Sequence, residues 1–202
     1  MRILIIRHAS TEENEKGLAL GKKDASLSTK GKREARSLAE SLKKEGISEI
    51  FSSPSKRALE TAKEIAKATG AEVKVERALK EFDFGELEGK KYEDFPKKHV
   101  RKLFVHPADA LYSGHGGESY SALYSRLGKV AKVLERMKKE EGKTVAIVTH
   151  LVTGRTLIAR MLGIPPELSR AFWIDNASVS EIAFLRKNHF VLRVLNKRAW
   201  EK

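Results

Sequence analysis

The chain has 202 residues, a length that suits one domain spanning 1–202 with its own hydrophobic core. It contains no cysteine, which excludes disulfides and thiolate metal sites, and no apolar run long enough for a membrane span or a signal peptide, so we expect a cytoplasmic protein. The formal net charge of +13 is spread among glutamates, as on a solvated surface, and abundant Lys and Glu without Gln is typical of heat-adapted proteins.

Apolar residues at strand-like spacing and at helix-like spacing alternate along the first 80 residues. Short apolar or alternating runs predict strands, and Ala and Leu at helical spacing predict the helices between them. The predicted elements are strand 2–7, a helix capped by Thr29 and ended by Gly46, strand 49–52, a helix opened by Ser53-Pro54-Ser55 and closed by Gly70, and strand 72–75.

From 84 to 119 this periodicity fades while Gly, His, Pro and Tyr accumulate. We expect an insertion there, partly helical over 92–105, that folds over the sheet edge as a lid or substrate-selecting region. The elements predicted beyond it are a long helix carrying Leu123 to Met137, strand 144–149, a helix over 152–162, and strands 178–185 and 190–195 joined by a hairpin at Lys187-Asn188.

The alternation of strands and helices predicts the fold class. Strands separated by helices favour a mainly parallel sheet with helices on both faces, and the final hairpin makes the sheet mixed. We therefore expect an α/β protein with a three-layer α/β/α sandwich.

Two histidines follow two of the apolar strands. Arg7-His8 ends the first run, and His150 directly follows the run at 145–148. In open α/β sheets, ligands bind beyond the carboxyl ends of the strands, where two such imidazoles can meet. The sequence therefore predicts a functional site at that edge.

The residue types at this edge suit phosphoryl transfer. A neutral imidazole is a nucleophile near pH 7 and can accept a phosphoryl group. The phosphoryl oxygens need cations around them, and the guanidinium fork of arginine matches their geometry. Arg7 is adjacent to His8, and Arg57 lies near the start of a helix that would aim it at the same edge.

Six motifs, which follow one another along the chain in the order of the family, resemble the signature of the histidine phosphatase superfamily, also called the phosphoglycerate mutase-like family. They span about three quarters of the chain. The motifs are Arg7-His8-Ala9-Ser10-Thr11-Glu12-Glu13-Asn14; Asp24 with Leu27-Ser28-Thr29-Lys30-Gly31; Ser52-Ser53-Pro54-Ser55-Lys56-Arg57-Ala58-Leu59-Glu60-Thr61-Ala62; Leu79-Lys80-Glu81-Phe82-Asp83-Phe84-Gly85-Glu86-Leu87-Glu88-Gly89; Gly116-Gly117-Glu118-Ser119; and Val148-Thr149-His150.

The resemblance implies a phosphoglycerate mutase-like fold and a role for each matching residue. His8 would accept the phosphoryl group. Arg7, Arg57 and His150 would bind its oxygens, and Asn14 would add a neutral donor. No cofactor is implied, and the histidine spacing indicates no metal site.

The resemblance also implies that Glu81 is the general acid and then the base. An alkoxide leaves poorly unless it is protonated, and a carboxyl group keeps its proton near neutral pH only where burial disfavours the charged form. Apolar neighbours of Glu81 offer such burial, and Glu86 and Glu88 are rival acids. These neighbours are Leu79, Phe82 and Phe84.

Some positions depart from the family pattern or stay open. Ala9 replaces the usual Gly, so either its backbone angles are negative and the methyl group is harmless, or the phosphate pocket is narrowed. Residues 151–153 replace common glycines. His115 either contacts substrate or is a plain loop residue, and Glu118 either lies near the leaving group or favours the start of the next helix.

Three outcomes of the reaction share this set of residues: hydrolysis of the phosphohistidine by water, return of the phosphoryl group to a sugar acid by a mutase, and removal of phosphate from phosphohistidine or phosphoserine side chains of proteins. A compact segment before His150 favours hydrolysis over a mutase reaction. We expect a metal-independent phosphomonoester hydrolase for a small phosphorylated metabolite, with a resemblance around Glu81 to α-ribazole phosphatases. Two alternatives remain: a cofactor-dependent phosphoglycerate mutase, and a non-catalytic basic scaffold that binds nucleic acid, which only the charge supports. A homodimer is left open.

Overall fold

The computed structural model describes residues 1–95, 116–137, 142–185 and 189–198. Within these residues, six strands form one sheet: β1 (Arg2–Arg7), β2 (Ile47–Ser52), β3 (Glu72–Val75), β4 (Thr144–Thr149), β5 (Ser178–Leu185) and β6 (His189–Arg198). Their order across the sheet is β3-β2-β4-β1-β5-β6. The first four are parallel, and β5 and β6 pair antiparallel at one side, so the sheet is mixed and mainly parallel, as expected.

Helices cover the sheet on both faces. The α-helices are α1 (Glu12–Glu15), α2 (Thr29–Leu42), α3 (Lys56–Thr69), α4 (Tyr120–Met137) and α5 (Leu151–Met161). Short 3₁₀ helices lie at Arg77–Leu79, Gly85–Leu87, Tyr92–Asp94 and Pro166–Ala171. Among the described residues, none of these helices combines the length and the apolar composition that a membrane crossing requires.

Alternating residues of β1 separate two apolar cores. Ile3 and Ile5 face the core that α4 and α5 cover. Leu4 and Ile6 face the opposite way, into the core that α2 and α3 cover. Because successive side chains of a strand point to opposite faces, the fully apolar run of β1 fits a strand buried on both sides. The three-layer α/β/α arrangement expected from the sequence is confirmed.

Several boundaries differ from the expected ones. Ser28 caps α2 instead of Thr29, because its hydroxyl accepts a hydrogen bond from the Gly31 amide at 3.0 Å. The strand expected at 49–52 begins two residues earlier, at Ile47. The expected hairpin turn at Lys187-Asn188 lies outside the described residues.

The insertion expected over 84–119 is described only in part. Its first residues form the 3₁₀ helices at Gly85–Leu87 and Tyr92–Asp94, where an α-helix was expected from Tyr92 onward. The remainder of that expected helix lies outside the described residues. An isolated bridge pairs Lys91 with Leu18, so this segment contacts the loop that follows β1.

The topology gathers the carboxyl ends of β1, β2 and β4 at one edge. Arg7 of β1 pairs with Thr149 of β4, and Ser52 of β2 pairs with Val148 of β4. The chain leaves these strands at neighbouring points, so the residues that follow them necessarily lie close together.

We expect Gly31→Ala to destabilise the protein by about 1–3 kcal/mol, the usual cost of overpacking. A Cβ at Gly31 would stand 1.9 Å from the carbonyl oxygen of Ser10 and 2.8 Å from its carbon. Both atoms are backbone, so α2 or the loop after β1 must shift. Urea unfolding checks this against Ser37→Ala, a substitution on the exposed face of the same helix; equal stability of the two variants would contradict the close approach.

Candidate active site

His8 and His150 lie side by side at the strand edge. The amide of His8 donates to the Thr149 carbonyl at 2.9 Å, which continues the β1–β4 ladder by one residue. The two imidazole ring centroids are 5.0 Å apart in a T-shaped arrangement. Both side chains are buried, with 3 % and 0 % of their surfaces exposed.

The hydrogen bonds of His8 define its tautomer. Its Nδ1 lies 2.8 Å from the Ala9 carbonyl oxygen. A carbonyl oxygen only accepts, so Nδ1 carries the ring hydrogen and Nε2 keeps its lone pair. That lone pair accepts from Arg57 Nε at 3.2 Å. Nε2 is therefore the ring nitrogen that carries a lone pair, and it faces the guanidinium.

His150 has the opposite tautomer. Its Nδ1 accepts from the same Arg57 Nε at 3.2 Å, so the single Nε hydrogen of Arg57 is shared between two imidazole nitrogens. The Nε2 of His150 then carries the hydrogen and donates to Ser53 Oγ at 2.8 Å. Ser53 comes directly after β2, so all three parallel strand ends contribute to this arrangement.

Arg57 is fixed by the loop after α1 as well as by the imidazoles. Its side chain is fully buried. One terminal nitrogen donates to the Lys23 carbonyl at 3.0 Å, and the other donates to the Leu20 and Gly21 carbonyls at 3.3 and 3.0 Å. Its Nε hydrogen and one remaining Nη1 hydrogen are therefore the donors that it can offer to an oxyanion.

Arg7 keeps more of its donors. Its Nη1 donates to the Ile174 carbonyl at 3.0 Å. Its buried Nε has no hydrogen-bond partner among the described residues. An unpartnered buried guanidinium nitrogen is costly unless a ligand binds it. This arrangement fits an anion that enters beside His8.

Asn14 is oriented for donation by its neighbours. Its Oδ1 accepts from the Thr11 amide at 3.3 Å and from Asn176 Nδ2 at 3.1 Å. Because the oxygen is held by two donors, the Nδ2 group is the part that can turn towards an oxyanion. Asn176 also donates to the His8 carbonyl at 3.0 Å, so it ties the two ends of this loop together.

The electrostatics of the site keep both imidazoles neutral. Burial, together with the nearby charges of Arg57 and Arg7, holds the pKa of His8 well below its ordinary value. Burial and the charge of Arg57 do the same to the pKa of His150. The pocket thus presents uncharged imidazoles within a positive field, which suits the binding of an anion.

We expect stability to fall as the pH drops below about 6.5, the ordinary histidine pKa. The unfolded chain takes up protons at His8 and His150 there, whereas the folded chain does not, because its pKa values for both are far lower. Each histidine then removes about 1.4 kcal/mol per pH unit until its folded-state pKa is reached.

Urea unfolding at several pH values between about 7.5 and 5.5 measures this slope. The variant His8→Ala should show a shallower slope, because it lacks one of the two buried imidazoles. A free energy of unfolding that rises on acidification, or a slope unchanged in the variant, would contradict the buried neutral pair.

Glu81 is buried beside these residues, 7 % exposed. As expected, its apolar neighbours Leu79, Phe82 and Phe84 are buried too. The carboxylate also accepts hydrogen bonds from the amides of Val152 and Thr153 at 3.2 and 3.0 Å and from the Thr153 hydroxyl at 3.0 Å.

These donors belong to the first turn of α5, directly after His150. The sequence predicted the burial of Glu81 but not these hydrogen bonds. These contacts also hold the Glu81 carboxyl group in place, against the helical turn that directly follows His150.

The rival acids have other positions. Glu88 accepts from the amides of Gly21, Lys22 and Lys23 at 2.8–3.3 Å, so it supports the loop whose carbonyls hold Arg57. Glu86 is exposed. Glu81 is therefore the carboxyl group among the three that lies within the strand-edge site.

A cavity of about 580 Å³ lies next to Glu81. Its wall contains two ion pairs, Lys22 with Asp83 at 2.6 Å and Arg126 with Glu118 at 2.6 Å. This cavity is the space next to the acid in which the alcohol part of an ester would fit.

The departures from the family pattern have simple consequences. Among described residues other than glycine, only Ala177 and Asn196 have positive φ, so Ala9 sits in an ordinary conformation, buried against the α2–α3 core. Thr153, at a position of common glycines, supplies donors to Glu81. His115 lies outside the described residues.

Sequence reasoning did not single out Ser53, Thr153 or Asn176 as functional residues. Ser53 lies within one of the six family motifs, and Thr153 was considered only as a departure from the glycines of the family pattern. Asn176 had no sequence signal, because its partners are more than 160 residues away. Among the described residues, no three His, Asp or Glu side chains gather in a way that could hold a metal ion.

Known proteins are similar to this chain over most of its length. The family model described as "Histidine phosphatase superfamily (branch 1)" matches residues 3–198. Phosphoserine phosphatase 1 of Hydrogenobacter thermophilus is 33 % identical over 198 residues, covering 96 % of this chain and 92 % of that protein. A protein of Enterobacter sp. named "Probable phosphoglycerate mutase GpmB" is 29 % identical over 193 residues, covering 91 % and 85 %.

Solved structures show the same fold. The α-ribazole phosphatase of Shigella flexneri superimposes with a TM-score of 0.80 at 26 % identity, over 98 % of this chain and 97 % of that one. The family model covers nearly the whole chain, and its relatives match over nearly their whole length. The chain therefore belongs to the histidine phosphatase superfamily.

Proposed function

We propose that this protein is a phosphatase that hydrolyses monoesters of small phosphorylated metabolites through a phosphohistidine formed on His8. The observation that carries the proposal is the unprotonated Nε2 of His8, which lies 3.2 Å from Arg57 Nε in a buried pocket. Two of the named relatives support a phosphatase, since they are phosphatases named for small phosphorylated substrates.

In the first step, the lone pair of His8 Nε2 attacks phosphorus and the ester P–O bond breaks. The electron pair of that bond passes to the leaving oxygen, which takes a proton from Glu81. Arg7 and Arg57 balance the charge on the phosphoryl oxygens, and Asn14 donates to one of them.

In the second step, a water molecule attacks the phosphorus of the phosphohistidine. Glu81, now a carboxylate, takes a proton from this water, and the P–N bond breaks with its electron pair returning to His8. Phosphate leaves, and the enzyme regains its starting protonation. The two guanidinium groups supply the positive charge in both steps, so we propose that turnover requires no metal ion.

The region after Glu81 is proposed to select the substrate as a lid-like part of a single domain. Phe84 packs against Tyr92 and Phe95, with ring centroids 6.0 and 6.2 Å apart. The Tyr92 amide donates to the Gly17 carbonyl at 3.2 Å, which anchors this segment on the loop after α1. The segment thus begins next to Glu81 and is anchored on the loop after α1.

Hydrolysis of p-nitrophenyl phosphate in excess chelator tests the proposal. We expect turnover that is unchanged by the chelator, because arginines rather than a metal neutralise the phosphoryl oxygens. Activity that disappears in chelator and returns with a divalent cation would contradict the metal-independent mechanism.

A parallel assay separates hydrolysis from transfer. A phosphatase releases inorganic phosphate from 3-phosphoglycerate. A mutase instead converts 3-phosphoglycerate to 2-phosphoglycerate when 2,3-bisphosphoglycerate is present. The similarity to the protein named as GpmB makes this the relevant competitor. Isomerisation faster than phosphate release would overturn the proposed hydrolysis.

A further inference from the structure

The segment that carries Glu81 is held by its backbone carbonyls. The Thr149 hydroxyl donates to the Leu79 carbonyl at 2.9 Å, and the single hydrogen of the Thr153 hydroxyl is shared between the Lys80 carbonyl at 2.7 Å and the Glu81 carboxyl oxygen at 3.0 Å. Both donors flank His150, so they tie the acid segment to the strand edge. The carbonyls of Ala78, Glu81 and Asp83 point the other way, towards α4.

Arg126 of α4 holds two of those three carbonyls. Its Nη1 donates to the Ala78 carbonyl at 2.5 Å and its Nη2 to the Glu81 carbonyl at 3.3 Å. It thus bridges the start of the segment and the acid itself. Its side chain is 24 % exposed, so most of it is enclosed between α4 and this segment.

Glu118 fixes the guanidinium in this position. Its two carboxylate oxygens accept from Arg126 Nε and Nη2 at 2.6 and 2.9 Å, a bidentate pair of defined orientation. Its backbone amide donates to the Asp83 carbonyl at 2.9 Å. The Gly116-Gly117-Glu118-Ser119 motif, which the proposed mechanism does not use, therefore holds the acid segment at its far end.

The approach of this motif to the acid segment is very close. A Cβ at Gly117 would lie 2.4 Å from the Asp83 carbonyl oxygen, so only glycine fits there without a shift of backbone. Ser119 then accepts from the Ala122 amide at 3.0 Å and begins α4, the helix that carries Arg126. The motif and the arginine therefore hold one short segment on the side that faces α4.

We propose that Arg126, oriented by Glu118, is a positioning residue for Glu81, so that the pair controls proton transfer to the leaving group. The inference rests on the proposed role of Glu81. Arg126 contacts the backbone of the acid and not its carboxyl group, so it acts through placement. A displacement of about 1 Å at a reacting group costs up to about 10²-fold in rate.

The test compares two aryl phosphate monoesters, p-nitrophenyl phosphate and phenyl phosphate. Nitrophenolate leaves readily without a proton, whereas phenolate is a stronger base and needs one. For Arg126→Met, which keeps much of the side-chain length without the fork, we expect kcat/KM for phenyl phosphate, which reports only the step that releases the alcohol, to fall about 10- to 100-fold. We expect kcat/KM for p-nitrophenyl phosphate to fall less than about 3-fold.

Three further variants sharpen the test. Glu118→Gln keeps the shape of the pair without its charge and should give a smaller loss with the same selectivity. Adding Arg126→Met to Glu81→Gln should cost nothing more for phenyl phosphate, because Arg126 acts only through that acid. Arg136→Met, on an exposed position of the same helix, should leave both esters unaffected.

The outcomes separate this inference from the function on which it rests. Equal losses for the two esters in Arg126→Met, or a change in KM alone, overturn the positioning role, provided that Glu81→Gln is selective. If Glu81→Gln itself lowers both esters equally, the acid role fails and the inference fails with it. The ratio of the two rates is independent of the folded fraction, so partial unfolding of a variant does not mimic selectivity.

Discussion

Replacing His8 with alanine is expected to lower kcat for p-nitrophenyl phosphate by more than about 10³-fold. The variant loses the nitrogen whose lone pair faces Arg57 at 3.2 Å, and no phosphoryl acceptor remains at that position. His150 does not replace it, because its Nε2 hydrogen is donated to Ser53. Steady-state kinetics in chelator measure the loss.

A matched control and a direct trap accompany this prediction. His189 is exposed at the start of β6, and His189→Ala should retain full activity. Quenching the wild type in alkali during turnover of a ³²P-labelled ester should leave label on the protein that acid then releases, as expected of a P–N bond. Label that survives in His8→Ala, or residual activity near that of the wild type, would assign the nucleophile elsewhere.

Glu81→Gln is expected to lower kcat/KM for phenyl phosphate by about 10²- to 10⁴-fold, the usual contribution of a general acid. The loss in kcat/KM for p-nitrophenyl phosphate should be much smaller, because kcat/KM reports only the step that releases the alcohol and nitrophenolate needs no proton. Glutamine fills nearly the same volume and can still accept from the Thr153 amide, which now donates at 3.0 Å, so the fold should persist. Rates for the two esters, measured side by side, check the selectivity.

The control for this variant is the rival carboxyl group. Glu86→Gln, at an exposed position in the same motif, should leave both rates unchanged. Loss of the phenyl phosphate reaction in Glu86→Gln but not in Glu81→Gln would assign the general acid to Glu86. Equal losses for both esters in Glu81→Gln would remove proton donation from its role.

The strand ends that carry the site were predictable from the sequence. The runs before His8 and His150 are apolar throughout, as strands buried on both faces are, and their order with the helices predicts parallel pairing. Parallel neighbours end at one edge, so the two imidazoles had to meet there. The pairing of Arg7 with Thr149 fulfils that expectation.

The supporting contacts were not predictable in the same way. Asn176 reaches Asn14 and the His8 carbonyl, and Arg126 reaches the Ala78 and Glu81 carbonyls, across long stretches of chain. A single polar residue that binds a distant backbone group produces no periodic pattern. Nothing in the local sequence distinguishes such a residue from one that points into water.

The sequence by itself determined the fold class and the strand edge that forms the site, because burial and backbone pairing impose regular spacing on the chain, and its motifs supplied the residues that we propose accept and neutralise a phosphoryl group. Only the tertiary structure decided the tautomers of His8 and His150, the Nε of Arg7 that has no hydrogen-bond partner among the described residues, and the cluster of donors around Glu81. These depend on which atoms from separate segments come within hydrogen-bond distance, and that distance is set by packing rather than by order along the chain.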